Sequence, residues 1–362
     1  MDNALDKARL KINEIDKKMA ELFVERMRAA EEVADYKRRH GLRIFDAVRE
    51  AEVINRNSAM VEDSTIREYY INFLKNNMAI SRSYQDRILE GMKIAYCGTE
   101  GAFAHIAAKR VFPTARKIPY PDFGAAYRAV EDGECDACVL PVENSYNGEV
   151  GQVTDLMFSG SLFVSGTTEL QVSQDLVALP GVTLADVKEV VSHPQALGQC
   201  AEYIKRHGFE TKEYSNTALA AKYVSEKGDK TLAAIASSEA AEIFGLVPIE
   251  KNINESRTNT TKFVILSRTK TEIKREDMRL HSILLFTVKH EAGALAKAIE
   301  IIGKYGFNMR ALRSRPMKEL LWQYYFYIEA EGNIDGENGK KMLSELEKYC
   351  DRLKALGTYI KE

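Results

Sequence analysis

Along the first ninety residues apolar positions recur at helical spacing, interrupted by one glycine (Gly41) and no proline. That pattern predicts an all-helical segment over residues 1–90. From Met92 onward the pattern changes. Short β-rich runs (KIAYC, DACVLPV, EVVSH, TLAAIAS, TKFVILS) alternate with helix-like stretches, which predicts an α/β region over 92–268 with a largely parallel sheet. The charged stretch SRTKTEIKREDMRL reads as a linker. Beyond it, residues 280–362 run strand, helix, strand, strand, helix, strand, a βαββαβ order that predicts a small α+β ferredoxin-like module.

Composition agrees with this division. A chain of 362 residues exceeds what one hydrophobic core usually serves, so two or three domains are expected. Apolar residues at 45% and charged residues at 29% place it among globular proteins. A formal net charge of −2 argues against a chain built to neutralise nucleic acid. No apolar run approaches the roughly 20 residues that span a bilayer, and MDNALDKARL lacks a secretory core, so a cytoplasmic location without membrane contact is expected. Five scattered cysteines suit reduced thiols better than a disulfide framework. Cys135 and Cys138 have a suggestive spacing but run into a strand, where a redox or metal pair is not expected.

The first helix departs from a simple amphipathic pattern. At about 100° per residue, Leu5, Ile12, Ile15, Met19, Leu22, Ala30 and Val33 share one face. Arg26 and Lys37 fall in the middle of that face and Arg9 at its margin. One long basic side chain there would ordinarily snorkel out to water. Three on one stripe imply an anionic partner, because unpaired buried cations cost several kcal/mol. Arg9 and Arg26 are about 25 Å apart along one helix, too far to hold one small molecule. A second, antiparallel copy resolves this, since Arg9 of one protomer then enters the pocket of the other. Asp46, Arg49 and Glu50 start the second helix, and Ser81 and Gln85 edge the apolar face of the third.

In these positions the series Arg9, Arg26, Lys37, Asp46, Arg49, Glu50, Ser81 and Gln85 resembles the all-helical chorismate mutase family. The resemblance covers essentially residues 1–90. It implies an intertwined homodimer, or a higher homo-oligomer built on one, that rearranges chorismate to prephenate. By the same resemblance Arg9 of the partner and Arg26 bind carboxylates, and Lys37 and Gln85 donate to the ether oxygen. Asp46, Arg49, Glu50 and Ser81 hold the hydroxyl and the remaining polar edge.

In the middle region small polar residues follow strand-like runs, where open α/β sheets bind ligands. Taken singly they are ordinary turn and capping chemistry. GTEGAFAH lacks both the dinucleotide fingerprint and the phosphate-loop lysine. Together, GTEGAFAH, LPVENSYNG, SHPQALGQC and ESRTNTTKF resemble the prephenate dehydratase family across about residues 93–268. The resemblance implies a two-lobed fold like a type II periplasmic binding protein, with prephenate in the cleft. Thr261 matches the threonine of the family's Thr-Arg-Phe motif, and Asn144, Ser192 and Gln199 match cleft positions. Lys262 stands where the family has arginine; it is expected to bind substrate without the bidentate fork. The reaction loses carbon dioxide and hydroxide together, so a hydrogen-bond or proton donor at the departing hydroxyl is what it needs. No metal or cofactor is expected.

Residues 280–362 resemble an ACT domain, which binds amino acids at subunit interfaces. Gly293-Ala294-Leu295 and Ser314-Arg315-Pro316 carry the resemblance and imply an L-phenylalanine site. Ala296 replaces a usual valine and Arg313 a usual glutamate, so altered sensitivity is expected. A competing reading is a sensor without catalysis. It has no use for Thr261 beside Asn144 and Gln199, nor for cations on a buried stripe.

Overall fold

The computed structural model describes residues 4–256, 258–273, 279–289, 291–317 and 323–361. It divides into two compact units, Met1–Met92 and Lys93–Glu362. Among the described residues no helix is long and apolar enough to cross a membrane.

Among the described residues the first unit is three helices: α1 (Ala4–Arg39), α2 (Ala47–Ser58) and α3 (Ser64–Glu90). Asp46 caps α2 by accepting from the Arg49 N–H, and Asp63 caps α3 by accepting from Thr65 and Ile66. Each satisfies first-turn donors that otherwise have no partner. The buried side chains Met27, Ala30 and Ala34 of α1 and Leu74 and Met78 of α3 form the helix seam. Leu5, Ile12, Ile15, Met19 and Leu22 stay 45–63% exposed. An apolar stripe of that extent on one helix is unusual for a finished surface.

The second unit begins with a lobe of β1 (Lys93–Cys97), α4 (Phe103–Val111), β2 (Arg116–Tyr120), α5 (Phe123–Glu131), β3 (Ala137–Asn144), β4 (Gly148–Glu149), α6 (Gly151–Ser159) and β5 (Phe163–Gln171). A second lobe holds β6 (Asp175–Ala178), β7 (Glu189–Ser192), α7 (Pro194–Gln199), α8 (Ala201–His207), β8 (Glu210–Glu213), α9 (Thr217–Lys227), β9 (Leu232–Ala236), α10 (Ser238–Ile243) and β10 (Val247–Glu250). The chain then returns as β11 (Thr260–Ser267) to the first lobe, whose sheet runs β2-β1-β3-β11-β5 with β4 on β3. The second sheet runs β10-β6-β9-β7-β8.

The expectation of a largely parallel sheet is corrected here. β1 pairs in parallel with β2 and β3, but β11 is antiparallel to both β3 and β5. In the second lobe β7 is parallel to β8 and β9, whereas β6 is antiparallel to β9 and β10. The physical reason is the double crossing between lobes: a strand that comes back from the other lobe enters its sheet from the opposite end. The two crossing segments bind each other, Val172 N–H to Asn259 O at 2.8 Å and Ile253 N–H to Gln174 O at 2.8 Å.

Last come β12 (Leu280–Val288), α11 (Ala294–Lys304), β13 (Asn308–Pro316), β14 (Tyr324–Glu331), α12 (Glu337–Leu346) and β15 (Cys350–Ile360), in an antiparallel sheet of order β13-β14-β12-β15. The run ILLF at 283–286 is continuously apolar because both faces of the strand are covered. Ile283 and Leu285 join the core of the first lobe, while Leu284 and Phe286 pack with Ile301 and Met342 of α11 and α12. Close approach of β15 to β5 demands Gly357, where a Cβ would meet Val164 O at 3.2 Å and φ is +119°.

Candidate active sites

In the helical unit, burial and hydrogen bonding gather part of the cationic stripe. Arg26 Nη1 donates to Ser81 Oγ at 3.1 Å across the seam of α1 and α3. Burial pushes its guanidinium below the ordinary value. Gln85 lies one turn beyond Ser81, is buried, and its Oε1 has no hydrogen-bond partner among the described residues. A buried amide oxygen left unpaired costs about 1–3 kcal/mol, which a ligand would recover.

Lys37 Nζ donates to Ile44 O, at the turn that leads into α2. Glu50 ion-pairs with Arg82, whose guanidinium stacks on the Phe45 ring at 5.2 Å. Arg82 was not singled out from sequence, although its place one residue after Ser81 is a signal. Asp46 spends a carboxylate oxygen on capping α2, and Arg49 reaches Glu52 at 3.2 Å on the surface. Arg9 is exposed near Asp6 at 3.7 Å. One chain thus brings together Arg26, Ser81 and Gln85, and leaves Arg9 far down the same unbroken helix.

Between the two lobes lies a cleft of about 260 Å³. Thr261 and Asn144 face each other in register on β11 and β3, and Asn144 Nδ2 donates to Thr261 Oγ1 at 2.9 Å. The same Nδ2 reaches Asn259 Oδ1 at 2.8 Å. Asn144 Oδ1 accepts from the N–H groups of Tyr146 and Asn147 at 3.0 and 2.9 Å, so the turn after β3 locks the amide in one orientation. Gln199 lines the opposite wall and accepts from Gln174 Nε2 at 3.5 Å.

Gln174 lines the cleft too, is almost wholly buried, and its Oε1 has no partner among the described residues. It was missed from sequence, for it sits in a crossing segment with no motif around it. Asn259 lies within ESRTNTTKF, where residue type alone gives it no role. At the far wall, Gly101 approaches the second lobe so closely that a Cβ would lie 3.2 Å from the Ala240 Cβ. Its φ of +84° requires glycine as well. The Gly101 N–H donates to His105 Nδ1 at 3.2 Å, and burial holds His105 below its ordinary pKa, in the neutral form able to accept.

Two sequence expectations do not hold at this cleft. Ser192 is fully buried in β7 and its hydroxyl donates to Ile235 O at 2.6 Å, so it ties two strands together rather than meeting a ligand. Lys262 alternates with Thr261 along β11 and points to the other face. There it donates to Glu329 Oε1 at 2.6 Å. Among the described lining residues the cleft therefore has no lysine or arginine. Anion-binding groups on offer are amides, Thr217, and the N-terminal turns of α4 and α9, reached through Phe103 and Asn216.

In the C-terminal module Gly293 caps α11 with φ +87°, and Ala294 and Leu295 open the helix. Ser314, Arg315 and Pro316 end the edge strand β13. The Arg315 guanidinium, however, makes a bidentate pair with Asp155 of α6 at 3.0 and 3.2 Å and rests on Gly151. An effector contact by Arg315 is corrected to docking of the module on the first lobe. Pro316 lines a hollow of about 270 Å³ with Met317, Phe158 and Tyr325. The thiols of Cys135 and Cys138 are buried and free, and burial raises both, as inert core cysteines require.

Comparison with known proteins finds the prephenate dehydratase family model at residues 94–271 and the chorismate mutase type II model at residues 8–86. Arogenate dehydratase/prephenate dehydratase 2 of Arabidopsis thaliana is 31% identical over 277 residues, covering 74% of this chain and 72% of that protein. The bifunctional chorismate mutase/prephenate dehydratase of Enterobacter agglomerans is 28% identical over 376 residues, covering 100% and 97%. The solved structure of prephenate dehydratase from Arthrobacter aurescens in complex with L-Phe superposes with a TM-score of 0.68 at 26% identity, covering 74% of this chain and 90% of that one. The chain belongs to the prephenate dehydratase family, in the form that carries a type II chorismate mutase domain in the same polypeptide.

Proposed function

We propose that this protein converts chorismate to prephenate at Arg26, Ser81 and Gln85, and prephenate to phenylpyruvate at Thr261 and Asn144, under control by L-phenylalanine. The observation that carries the reading is the Asn144–Thr261 hydrogen bond in the cleft of a chain that also bears a mutase domain.

The first reaction is a pericyclic rearrangement. It asks for a clamp on a dicarboxylate and for donors at the breaking ether oxygen. Arg26 supplies a fixed guanidinium, and Lys37 and Gln85 supply the donors. Arg9 enters from a second copy, whose approach would also cover the exposed stripe Leu5, Ile12, Ile15, Met19 and Leu22. Asp46, Arg49 and Glu50 hold the substrate's polar edge.

In the second reaction the ring carboxylate leaves as carbon dioxide. The electrons of that bond aromatise the ring and expel the hydroxyl, which departs as water after gaining a proton. Thr261 accepts from Asn144, which polarises its O–H toward the leaving group. Gln174, Gln199 and the helix N-termini hold the side-chain carboxylate without a formal cation. Free cysteines suit a cytoplasmic enzyme.

Residues 280–362 act as a ferredoxin-like ACT module, which the βαββαβ order and the sheet order β13-β14-β12-β15 support. Gly293, Ala294, Leu295, Ser314 and Pro316 would contribute to an L-phenylalanine site completed by a second subunit; L-phenylalanine as the ligand is supported by the Arthrobacter aurescens relative, solved in complex with L-Phe. Supplying chorismate alone tests the whole reading. Chorismate should vanish and phenylpyruvate accumulate; loss of chorismate with prephenate as the end product would remove the second activity.

A further inference from the structure

Two ion pairs of opposite sense join the catalytic sheet to the C-terminal sheet, each starting one residue from the Thr261–Asn144 pair. Thr261 and Asn144 are register partners on β11 and β3, and so are Lys262 and Glu143. Because side chains alternate along a strand, the first two face the cleft and the second two face the module. Lys262 Nζ donates to Glu329 Oε1 at 2.6 Å, with 13% and 4% of the two side chains exposed. Glu143 meets Arg313 at 2.5 Å. A cation on the catalytic sheet thus faces an anion on β14, and an anion on the catalytic sheet faces a cation on β13.

Both partners on the module are themselves fixed. Glu329 Oε1 also accepts from Tyr359 at 2.9 Å, and the Arg313 guanidinium lies over its register partner Tyr327 at 5.2 Å. The four side chains of the two pairs line a chamber of about 530 Å³ between the sheets. Positions 262 and 313 are two of the three, with Ala296, at which the chain departs from the family pattern. These two departures looked like separate weaknesses at two ligand sites. In the structure both side chains lie at one seam, outside the reaction cleft.

We infer that Lys262 and Glu143 are positioning residues that hold β11 and β3 at the spacing which keeps Thr261 bonded to Asn144, and that Glu329 and Arg313 pass the placement of the C-terminal module to them. The inference rests on Thr261 and Asn144 being the reacting pair. An effector that displaces the module then acts on the cleft through one residue on each strand, with no intervening element.

The test uses the full-length enzyme, with mutase turnover of each variant as an internal measure of enzyme concentration and the unfolding transition of the second unit as the measure of its folding. Arg313→Gln and Glu143→Gln should each lower dehydratase kcat by about 10-fold, within the roughly 10²-fold that misplacement can cost. KM for prephenate should move less than about twofold, since neither residue touches substrate. The double variant should be no worse than either single one, as expected for one shared interaction. The reversed pair Glu143→Arg with Arg313→Glu should recover most of the loss, and Lys262→Arg should keep kcat. Each pair variant should also weaken phenylalanine inhibition.

Unchanged kcat alongside a lowered Tm would make the pairs mere docking contacts and overturn the inference. Multiplying losses in the double variant would overturn it as well. Should Glu329→Gln fail to fold, the more exposed Arg313 decides. Thr261→Ala, assayed beside them, separates two failures. If it remains active the reacting pair is wrong; if it is inactive while Arg313→Gln is normal, only the coupling falls.

Discussion

Asn144 Nδ2 donates to Thr261 Oγ1 at 2.9 Å across paired strands, so the threonine hydroxyl receives a hydrogen bond and keeps its own proton for the cleft. The direction matters. Had the hydroxyl donated to the Asn144 carbonyl, its proton would be unavailable, but Asn144 Oδ1 is already engaged by two backbone N–H groups and the Asn147 amide.

Thr261→Ala should therefore lower dehydratase turnover by about 10²- to 10⁴-fold, the range for loss of one positioned donor. Asn144→Asp should hurt too, because a carboxylate accepts where the amide donates. Mutase turnover in both variants should stay near normal. Stopped assays of phenylpyruvate and chorismate on the same preparation check this, and near-normal phenylpyruvate formation by Thr261→Ala would take the residue out of the mechanism.

Much of this site was legible because short motifs fall at strand ends, where the register of β3 and β11 brings distant residues together. Asn144 and Thr261 are 117 residues apart, yet both motifs point to one cleft. The helical unit was legible for another reason: a period of 3.6 places Arg26 on the seam and Ser81 opposite it. Lys262 shows the limit. Its facing depends on strand phase and on which sheet face a later domain covers, and residue type carries neither. Ser192 failed similarly, since a serine at a strand end serves a ligand or the neighbouring strand according to packing alone. The antiparallel entry of β11 was hidden because the crossing between lobes leaves no periodic signal.

A second prediction concerns the shared mutase site. Fragment 1–90 should form a helical dimer active on chorismate, because Arg9 is exposed and one helix separates it from Arg26 by about 25 Å. Mixed Arg9→Ala and Arg26→Ala protomers should regain a fraction of wild-type sites, since one site in the mixed dimer has both arginines. Sedimentation and activity of the mixture check it. A mixture as inactive as either parent would refute the sharing of residues.

Acid should loosen the second unit through two buried histidines. Burial lowers His105 despite Glu100 nearby, with Lys109 and Lys117 adding to the effect. Burial likewise lowers His281, against Glu329 and Glu331 and with Lys361 and Lys262. A histidine with a folded pKa below its unfolded value of about 6.5 leaves the unfolded chain holding more protons just below that pH. Its stabilising contribution is complete above about pH 6.5 and is lost as pH falls toward the folded pKa. Each histidine contributes at most about 1.4 kcal/mol per pH unit. Denaturant unfolding between pH 7.5 and 5.5, a window above the carboxylates, should show a slope that His105→Gln with His281→Gln reduces. Identical slopes would assign the acid sensitivity elsewhere.

The last prediction is that L-phenylalanine binds the C-terminal module and inhibits the dehydratase with little effect on the mutase. Gly293 holds φ +87° at the start of α11, a conformation that costs an L-residue with a Cβ roughly 1–2 kcal/mol. Space is not the constraint within one chain, since a Cβ there meets nothing within 4 Å. Gly293→Val should therefore act by shifting the turn and by crowding the open side, where the proposed site places the amino acid. Inhibition should disappear while uninhibited turnover persists. Phenylalanine must favour the low-activity arrangement for any inhibition to occur, and a coupling of about 1–3 kcal/mol corresponds to roughly 5- to 150-fold. Arg313 does not stand in the way, because its guanidinium is turned to Glu143 and Tyr327. Calorimetry and phenylpyruvate assays on the full-length enzyme at saturating phenylalanine are the measure. Neither binding nor inhibition there would end the phenylalanine assignment and leave tyrosine and tryptophan to be tried in the same assay.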